Sequence, residues 1–358
     1  MASNSFSYNE DGLPDRFSTP NDSSGKNKCD DLNHWFSSLQ NFALSASHRL
    51  DAIVTLSKRV AQLREDPRAL SVINHTLTHE PDPRVIQHAI LIVAQLKSRS
   101  AVRALIALAT TIPFEGDDLK VAVFEGPEAD IFIGSDAGIR LRVDAIRALG
   151  QIHDNRAIDP LMSVLNDRDE NYRVRLAAAD VLGKLGCQQA VNPLLNIALD
   201  DQERSVYLKE SAIQALGVLG DFRSLAPLID MLESKRGFRD KFQFLKEKVL
   251  EAIGRIGNSN NQATPKAVKS LLLALEDEAP SIRLAAVEAL GWMGERVARD
   301  ALEPLTKRVF DTDDIVAEAA IEALHNVGGL AALSALLKLE NLPRQLRELI
   351  FSLLVDNA

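Results

Sequence analysis

The sequence predicts an all-α protein, a right-handed α-solenoid of about eight HEAT-like helical hairpins with one inserted segment. Three observations lead to this prediction. A short apolar tripeptide ending in glycine returns at a nearly constant interval, the apolar residues within each interval follow a helical period, and an acid stands six residues before a base in successive intervals. A repeat of this length that alternates two short amphipathic helices is typical of stacked hairpins, which bury their apolar faces only against neighbouring copies.

The tripeptide marks the end of the first helix of each hairpin. It occurs at Ala148-Leu149-Gly150, Val181-Leu182-Gly183, Ala215-Leu216-Gly217, Ala252-Ile253-Gly254 and Ala289-Leu290-Gly291, and it decays to Ala323-Leu324-His325. Its third position recurs after 33, 34, 37, 37 and 34 residues. Val85 to Leu105 aligns without a gap on Val174 to Leu194. Ala52 and Ser57 match Ala89 and Ala94 another 37 residues earlier, so eight hairpins are predicted, with a last helix near Arg344 to Val355.

Each hairpin contains two amphipathic helices joined by a glycine. In one hairpin the apolar positions of the first helix are Leu176, Ala179 and Leu182, and the second helix follows with Val191 and Leu194. Gly183 and Gly217 supply a small residue where neighbouring helices approach. Gly186 and Gly220 come three residues later and suit the left-handed conformation that ends a helix. These glycines are predicted to be architectural.

The charged residues form a second repeating pattern. The pairs are Asp136 and Arg142, Asp169 and Arg175, Glu203 and Lys209, Asp240 and Lys246, and Asp277 and Arg283; Asp311 has no base six residues later, because Ala317 stands there. A carboxylate before a helix accepts N-terminal N–H groups and pairs with a base inside a helix of its own or the next repeat. Stacking is the favoured role of this ladder, and a charged stripe that docks a partner is the alternative.

The repeat sequence resembles HEAT-type repeats, most clearly over Val174 to Leu195 and Ile282 to Leu305. Within that superfamily the Ala-rich, glycine-ended units resemble the E/F type phycobilisome lyases, which help attach open-chain tetrapyrroles to antenna proteins. The resemblance covers about Arg49 to Leu339 and implies a crescent that holds an antenna subunit or a bilin, with partner specificity on the concave helices. It implies no catalytic residue, because the matching positions are architectural.

An insertion interrupts the period between the second and third hairpins, over residues 110–139. The runs Val121 to Phe124 and Ile131 to Gly134 flank a Gly-Pro turn and predict a small β-hairpin or an ordered flap. One interpretation is a cover for the core. The other is a partner-binding arm that presents Phe124, Glu125 and Phe132, since insertions in solenoids often contact ligands.

Two further places depart from the repeat. The segment from Lys235 to Phe242 is the densest basic and aromatic run, and Arg236, Phe238 and Arg239 are its candidate contacts to an acidic ligand such as a bilin. A solvated loop is the simpler interpretation. Trp292 occupies a position that is polar in several other repeats, so it is either an exposed binding anchor or a cover for the last repeats.

A metal site is the third candidate. His75 and His79 are four residues apart on one helical face, a spacing that can hold a metal ion, and Cys187 is predicted to be an accessible thiol in a turn. The alternatives are solvated or capping histidines and an inert thiol.

Composition narrows the classes of protein. The 358 residues carry 41 basic and 50 acidic side chains and a formal charge of -9, which disfavours nucleic-acid binding. No apolar run reaches the length of a membrane helix by inspection, and residues 1–31 are predicted to be a disordered tail preceding a repeat domain over 32–358. Two cysteines favour a reducing, cytoplasmic location.

Three functions follow from these observations. The leading hypothesis is a protein-binding scaffold related to phycobilisome lyases, with an antenna subunit or another protein as client and no required cofactor. The first alternative is an adaptor in iron-sulfur or metal-centre assembly that shares a cluster with its partner. The second is an active bilin lyase or isomerase. Phosphate loops, nucleophile elbows and zinc-protease motifs are absent from the sequence, so a scaffold is favoured over a self-contained enzyme.

Overall fold

Stacked α-helices make up nearly all of the chain that the computed structural model describes, namely residues 28–110, 121–122, 129–234, 243–259, 264–339 and 341–356. In chain order the helices are α1 (Lys28–Gln40), α2 (Ala46–Ser57), α3 (Val60–Glu65), α4 (Ala69–His79), α5 (Pro83–Gln95), α6 (Val102–Thr110), α7 (Ala129–Gly134), α8 (Asp136–Ile152), α9 (Ile158–Asn166), α10 (Tyr172–Lys184), α11 (Val191–Leu199), α12 (Val206–Leu219), α13 (Leu225–Glu233), α14 (Gln243–Ser259), α15 (Pro265–Ala274), α16 (Pro280–Met293), α17 (Ala298–Arg308), α18 (Asp314–Leu336) and α19 (Arg344–Asp356). The prediction of an all-α solenoid is confirmed.

The helices form two layers. The first helices of the hairpins, α2, α5, α8, α10, α12, α14, α16 and the start of α18, pack side by side along their lengths. The second helices, α4, α6, α9, α11, α13, α15 and α17, touch one another at far fewer places. In a curved stack the more closely spaced layer lies on the inside of the curve. We therefore name the first set the inner helices and the second set the outer helices.

Glycines set the close spacing of the inner helices. A Cβ atom on Gly183 would lie 2.9 Å from the Cβ of Ala215, and one on Gly254 would lie 2.7 Å from the Cα of Ala289. Both distances are shorter than van der Waals contact, so only glycine fits. Gly186 and Gly220 have φ of 69° and 64° and end the turns after α10 and α12, as predicted.

The charged ladder joins successive repeats. A base of an inner helix reaches the acid that precedes the next inner helix in the pairs Arg49–Glu80, Arg142–Glu170, Arg175–Glu203, Lys246–Asp277 and Arg283–Asp311. The sequence placed Asp169 on this ladder, but the neighbouring Glu170 makes the bond and Asp169 is exposed. Asp136 is also off the ladder, because it pairs with Arg173 on the surface. Asp240 lies outside the described residues. Four of these five bases, Arg49, Arg142, Arg175 and Arg283, are buried, in agreement with a structural role for the ladder.

The β-hairpin predicted for the insertion is wrong. Its second run, Ile131 to Gly134, lies in helix α7, which packs on α8, and no strand occurs among the described residues. Runs of four apolar residues fit a strand or a buried helical turn equally well. Ser135 then accepts the N–H of Gly138 and begins α8, while the backbone oxygen of Phe132 lies so close to Gly138 that a Cβ there would clash. Phe124 and Glu125 lie outside the described residues.

One helix in the described part of the chain, α18, is long and apolar enough to cross a membrane by length and composition. Its backbone is interrupted at Gly329, where φ is 62° and ψ is -160°. The two halves run in succession as the two helices of the eighth hairpin, and Val316, Ile321 and Leu333 are buried against the core. Its apolar character is thus accounted for by packing within the repeat array.

Candidate binding surface

The inner helices present rows of side chains that the stacking does not use. Residues at one position of the third turn of the six inner helices from α8 to α18 form the first row: Arg147, Asp180, Gln214, Glu251, Glu288 and Glu322. One turn later stand Gln151, Lys184, Val218, Arg255, Trp292 and Asn326. All are exposed or half-buried. Because the residues between these rows fill the core, the rows follow the inner face from α8 to α18.

The middle of this face is a shallow groove of about 360 Å³ across α10, α12 and α14. Asp180, Lys184, Val218 and Glu251 are among the residues that line it. Lys248 donates to Glu251 at 2.7 Å, and the side chain of Ser211 donates to Asp180. The groove combines side chains of both charges with Val218, an exposed apolar side chain.

Acidic residues dominate the inner face toward the C-terminal end. Burial raises the pKa of the Glu288 carboxyl, and the nearby carboxylates of Glu251 and Glu322 raise it further, against the opposing effect of Lys248 and Arg255. Like charges held together on adjacent helices cost stability, and a positively charged partner would relieve this cost.

Basic and aromatic residues dominate the α8 end of these rows, which we call the basic end of the inner face although α2 and α5 precede it in the array. Arg140, Arg147, Tyr172, Arg173 and Tyr207 surround a cavity of about 370 Å³ where α8, α10 and α12 begin. Tyr207 is 64% exposed and Tyr172 is 42% exposed. The inner face therefore changes from basic to acidic along the array, although the net charge of the chain is negative.

Trp292 packs against its neighbour on the inner face. Its ring lies under the guanidinium of Arg255, with 5.3 Å from Cζ to the ring centroid, and the residue is half-buried. A cation-π contact of this kind fixes the orientation of the indole. Both interpretations of Trp292, binding anchor and cover, fit this position, and its role in binding stays a prediction.

His75 and His79 lie on one face of α4, as the spacing predicted. Their rings stack in parallel with centroids 4.0 Å apart, and Phe42 approaches His75 at 6.1 Å. Burial lowers the pKa of His75, and the charge of His79 lowers it further. Nδ1 of His79 lies 2.7 Å from the hydroxyl of Thr78. The described residues contain no group of three or more His, Cys, Asp and Glu side chains that could hold a metal ion.

Cys187 is buried, contrary to the prediction of an accessible thiol. It is 5% exposed and its N–H donates to the carbonyl of Leu182 at 3.1 Å. The left-handed Gly186 turns the chain back, so that the following residue faces the core at the start of a short 3-10 turn. Ser98, Asp154 and Asp221 precede the corresponding turns of other repeats. This shared position is the signal that indicates a structural role for Cys187.

The remaining candidates occupy different parts of the chain. Phe132 is half-buried and packs against the core beside α8. Arg236, Phe238 and Arg239 lie outside the described residues, as do Phe124 and Glu125. The structure therefore neither brings the insertion and the basic loop together nor separates them. From sequence, the second row was noticed only as the variable position that holds Trp292, although the residues of both rows recur with the same period as the tripeptide.

Comparison with known proteins identifies the repeats. The sequence profile of the HEAT repeats matches residues 133–208, 237–325 and 268–353, which together span more than half of the chain. The chain belongs to the HEAT-repeat family. HEAT repeats form two-layered solenoids that stack helical hairpins, in agreement with the inner and outer helices. A search of curated proteins found no match.

Several solved structures are similar to this chain. The complex of CpcE and CpcF of phycocyanin lyase from Nostoc sp. PCC7120 is 26% identical, with 64% of this chain and 95% of that chain covered and a TM-score of 0.38. Human deoxyhypusine hydroxylase in complex with glycerol is 18% identical, with 82% and 95% covered and a TM-score of 0.30. The karyopherin Kap121p bound to the SUMO protease Ulp1p is 14% identical, with a TM-score of 0.47; 89% of this HEAT-repeat chain aligns with only 36% of the karyopherin. These TM-scores are too low to support a common function.

Proposed function

We propose that this HEAT-repeat chain is a scaffold that binds a protein client along its inner face. The observation that carries the proposal is the set of exposed side chains on successive inner helices, which repeat with the period of the fold but take no part in the ladder or the core. A surface of this extent, with both charges and exposed aromatic residues, suits a protein partner better than a small molecule.

The client proposed first is an antenna subunit of the phycobiliprotein type. This choice depends on the resemblance of the Ala-rich, glycine-ended repeats to E/F type phycobilisome lyases, which covers about Arg49 to Leu339. We propose that the insertion, residues 110–139, adds specificity for the client, because it occurs once and stands next to the basic end of the inner face through α7 and α8.

The metal-assembly alternative has a weaker basis in the structure. Its thiol, Cys187, is buried, so a cluster carried by a partner would reach this sulfur only after local opening. The His75 and His79 pair is then the remaining contact for that hypothesis. The bilin lyase alternative depends on Arg236, Phe238 and Arg239, which lie outside the described residues.

A charge-swap variant tests the inner face. Lys184→Glu combined with Glu288→Lys leaves the net charge unchanged but reverses one charge in each half of the face. Lys269→Glu combined with Glu303→Lys makes the same exchange on the outer helices α15 and α17. Each purified variant is immobilised, exposed to extract of the native cell, and its bound proteins are identified by mass spectrometry and then bound again in purified form.

The expected result is loss of the client by the inner-face variant and retention by the outer-face variant, with unchanged thermal midpoints. Antenna subunits among the bound proteins support the first client, metal-assembly proteins support the alternative, and visible absorption from a retained bilin supports the lyase. Equal client binding by the inner-face variant and the unmodified protein would overturn the scaffold proposal. Replacing residues 111–128 with a short Gly/Ser linker, which leaves α7 intact, should weaken client binding without lowering the thermal midpoint.

A further inference from the structure

We propose that the cavity at the basic end of the inner face binds an acidic segment of the client that carries one apolar side chain. This inference rests on the proposed scaffold function and assigns the chemistry of one part of its partner. We name the cavity the arginine-tyrosine groove, and its lining residues are Ile139, Arg140, Val143, Arg147, Tyr172, Arg173, Leu176 and Tyr207.

Three guanidinium groups converge on the arginine-tyrosine groove from two repeats. Arg140 and Arg147 are seven residues apart and so share one face of α8, while Arg173 comes from the first turn of α10. Within the described residues, neither Arg140 nor Arg147 takes part in a hydrogen bond or an ion pair with an acid. Their planar donors are therefore available to carboxylates of a partner, which they bind in a two-pronged geometry.

The acids close to the groove do not cancel this positive charge. Asp136 pairs with Arg173 at 3.0 Å, but the two side chains are 83% and 55% exposed, and an exposed pair of this kind exchanges partners readily. Asp144 lies between Arg140 and Arg147 on α8 and is half-buried, with the amide of Gln87 at 3.3 Å. Burial raises the pKa of Asp144 while Arg147, Gln87 and Arg140 oppose that effect. Three bases thus line the groove, and none of its lining residues is acidic.

The apolar lining of the groove calls for an apolar side chain between the carboxylates. Ile139 is buried, and Val143 and Leu176 are half-buried and pack against the core, so they form the floor. The exposed rings of Tyr172 and Tyr207 stand at the rim. Exposed aromatic residues beside a concave apolar floor are typical binding anchors, and the volume of about 370 Å³ lies in the range of pockets that enclose a ligand group.

Charge complementarity thus favours an acidic protein segment over a basic one. Nucleic acid also carries anionic groups, but the row of Glu251, Glu288 and Glu322 farther along the same face would repel an extended phosphate backbone. A short acidic segment occupies the basic end alone, and the rest of the client then contacts the acidic end with its own basic residues. This arrangement would fix the direction in which the client lies along the inner face.

Two peptides that differ only in charge test the proposal. The probe is fluorescein-labelled Glu-Asp-Glu-Phe-Glu-Asp-Glu, and the control is Gln-Asn-Gln-Phe-Gln-Asn-Gln with the same label. Fluorescence anisotropy measures binding to the full chain, to Arg140→Gln combined with Arg147→Gln, and to Lys269→Gln combined with Arg299→Gln. The last variant removes two exposed bases from the outer helices α15 and α17, so it has the same net charge as the groove variant.

We expect the acidic peptide to bind the unmodified chain and the outer-helix variant equally, and to bind the groove variant about tenfold more weakly. Raising the salt concentration should weaken binding of the acidic peptide to the unmodified chain and to the outer-helix variant, and should affect its binding to the groove variant less. Thermal midpoints identify any variant that fails to fold, and Tyr207→Ala, an exposed substitution, then serves as the second test with the same expected direction. A single-stranded oligothymidine with the same label measures the competing ligand class.

Any of three results would overturn the inference. The unmodified chain could bind the two peptides equally, the groove and outer-helix variants could bind the acidic peptide equally, or oligothymidine could bind more tightly than the acidic peptide. The scaffold proposal is tested at different residues, Lys184 and Glu288. A client that is lost from that charge-swap variant while the acidic peptide fails to bind would overturn this inference and leave the scaffold proposal standing. A client that is indifferent to the charge swap would overturn the scaffold proposal itself.

Discussion

Replacing Arg283 with alanine tests whether the charged ladder holds neighbouring repeats together. The guanidinium donates to both carboxylate oxygens of Asp311, at 2.9 and 2.6 Å, and to the carbonyl oxygens of Asp277 and Glu278, both at 3.0 Å. The side chains of Arg283 and Asp311 are only 9% and 2% exposed. The substitution therefore leaves a buried carboxylate and two carbonyl groups without this donor.

The expected loss follows from those contacts. Removing one partner of a buried ion pair costs about 3–5 kcal/mol. Asp311 keeps two other donors, Nη1 of Arg308 at 3.3 Å and the N–H of Asp313 at 3.0 Å, which places the loss at the lower end, about 3 kcal/mol. The control is Arg156→Ala, whose guanidinium is 52% exposed and pairs with Asp154 two residues earlier. Solvent reaches this guanidinium, so we expect a smaller loss of about 1 kcal/mol or less.

Hydrogen exchange followed by mass spectrometry measures the effect where it arises. Repeat arrays open in parts, so a single global midpoint understates a local loss. We expect exchange of the amides in α16 and the first half of α18 to accelerate roughly a hundredfold in Arg283→Ala, with α8 and α10 unchanged. A loss below about 1 kcal/mol, or an acceleration no larger than that of Arg156→Ala, would refute the stacking role of the ladder.

The same pair makes stability depend on pH. Burial by itself would raise the pKa of Asp311, but the hydrogen bonds from Arg283 and from the N–H of Asp313, with the charges of Arg283 and Arg308, outweigh burial and lower it. A carboxyl with a lowered pKa stabilises the fold above its unfolded pKa of about 3.9 and loses that contribution as pH falls through the folded pKa. The free energy of unfolding, measured with urea, should therefore fall below about pH 4. In Asp311→Asn this free energy should depend less steeply on pH in the same range. An unchanged dependence in Asp311→Asn would contradict this assignment.

Two predictions concern single positions in the packing. Gly254→Ala should lower the free energy of unfolding in urea by about 1–3 kcal/mol, because the added Cβ meets the backbone of Ala289. The control Gly134→Ala, whose Cβ would meet nothing within 4 Å, should change it little, and equal effects would contradict close packing as the role of Gly254. His79→Ala should raise the pKa of His75 toward its usual value in an NMR titration while burial still keeps it below that value, and an unmoved pKa would show that the two rings do not interact.

The sequence was sufficient to predict the architecture because the fold repeats. The tripeptide period located the inner helices, and the terminal helix α19 begins at the predicted Arg344. The ladder shows where such reasoning stops. Asp169 and Glu170 are adjacent acids, and a count of six residues back from Arg175 selects the first, whereas the actual bond spans from Arg142 in the preceding repeat to Glu170. Sequence spacing within a unit does not reveal which side chain faces the neighbouring unit.

The candidate binding surface was harder to predict for a related reason. Apolar residues recur at the same positions of every repeat, so the core could be predicted from the sequence. The exposed positions vary between repeats and share no residue type. The basic end of the inner face becomes visible only when Arg147 and Arg173, which are far apart in sequence terms, are seen to line one cavity. The strand prediction for the insertion was wrong because runs of four apolar residues are too short to distinguish a strand from a helical turn.

The end of the ladder gives the solenoid uneven stiffness. Each rung ties one repeat to the next by an ion pair, and the last described rung is that of Arg283 with Asp311. Ala317 takes the place of the next base, so the ladder does not continue from α18 to α19. Under tension the last hairpin, formed by α18, should therefore extend before the repeats that the ladder joins. A client that contacts the inner face at both ends of the ladder would then meet a rigid surface where the ladder is present and a more flexible surface near α18. The flexible part can move to fit the client.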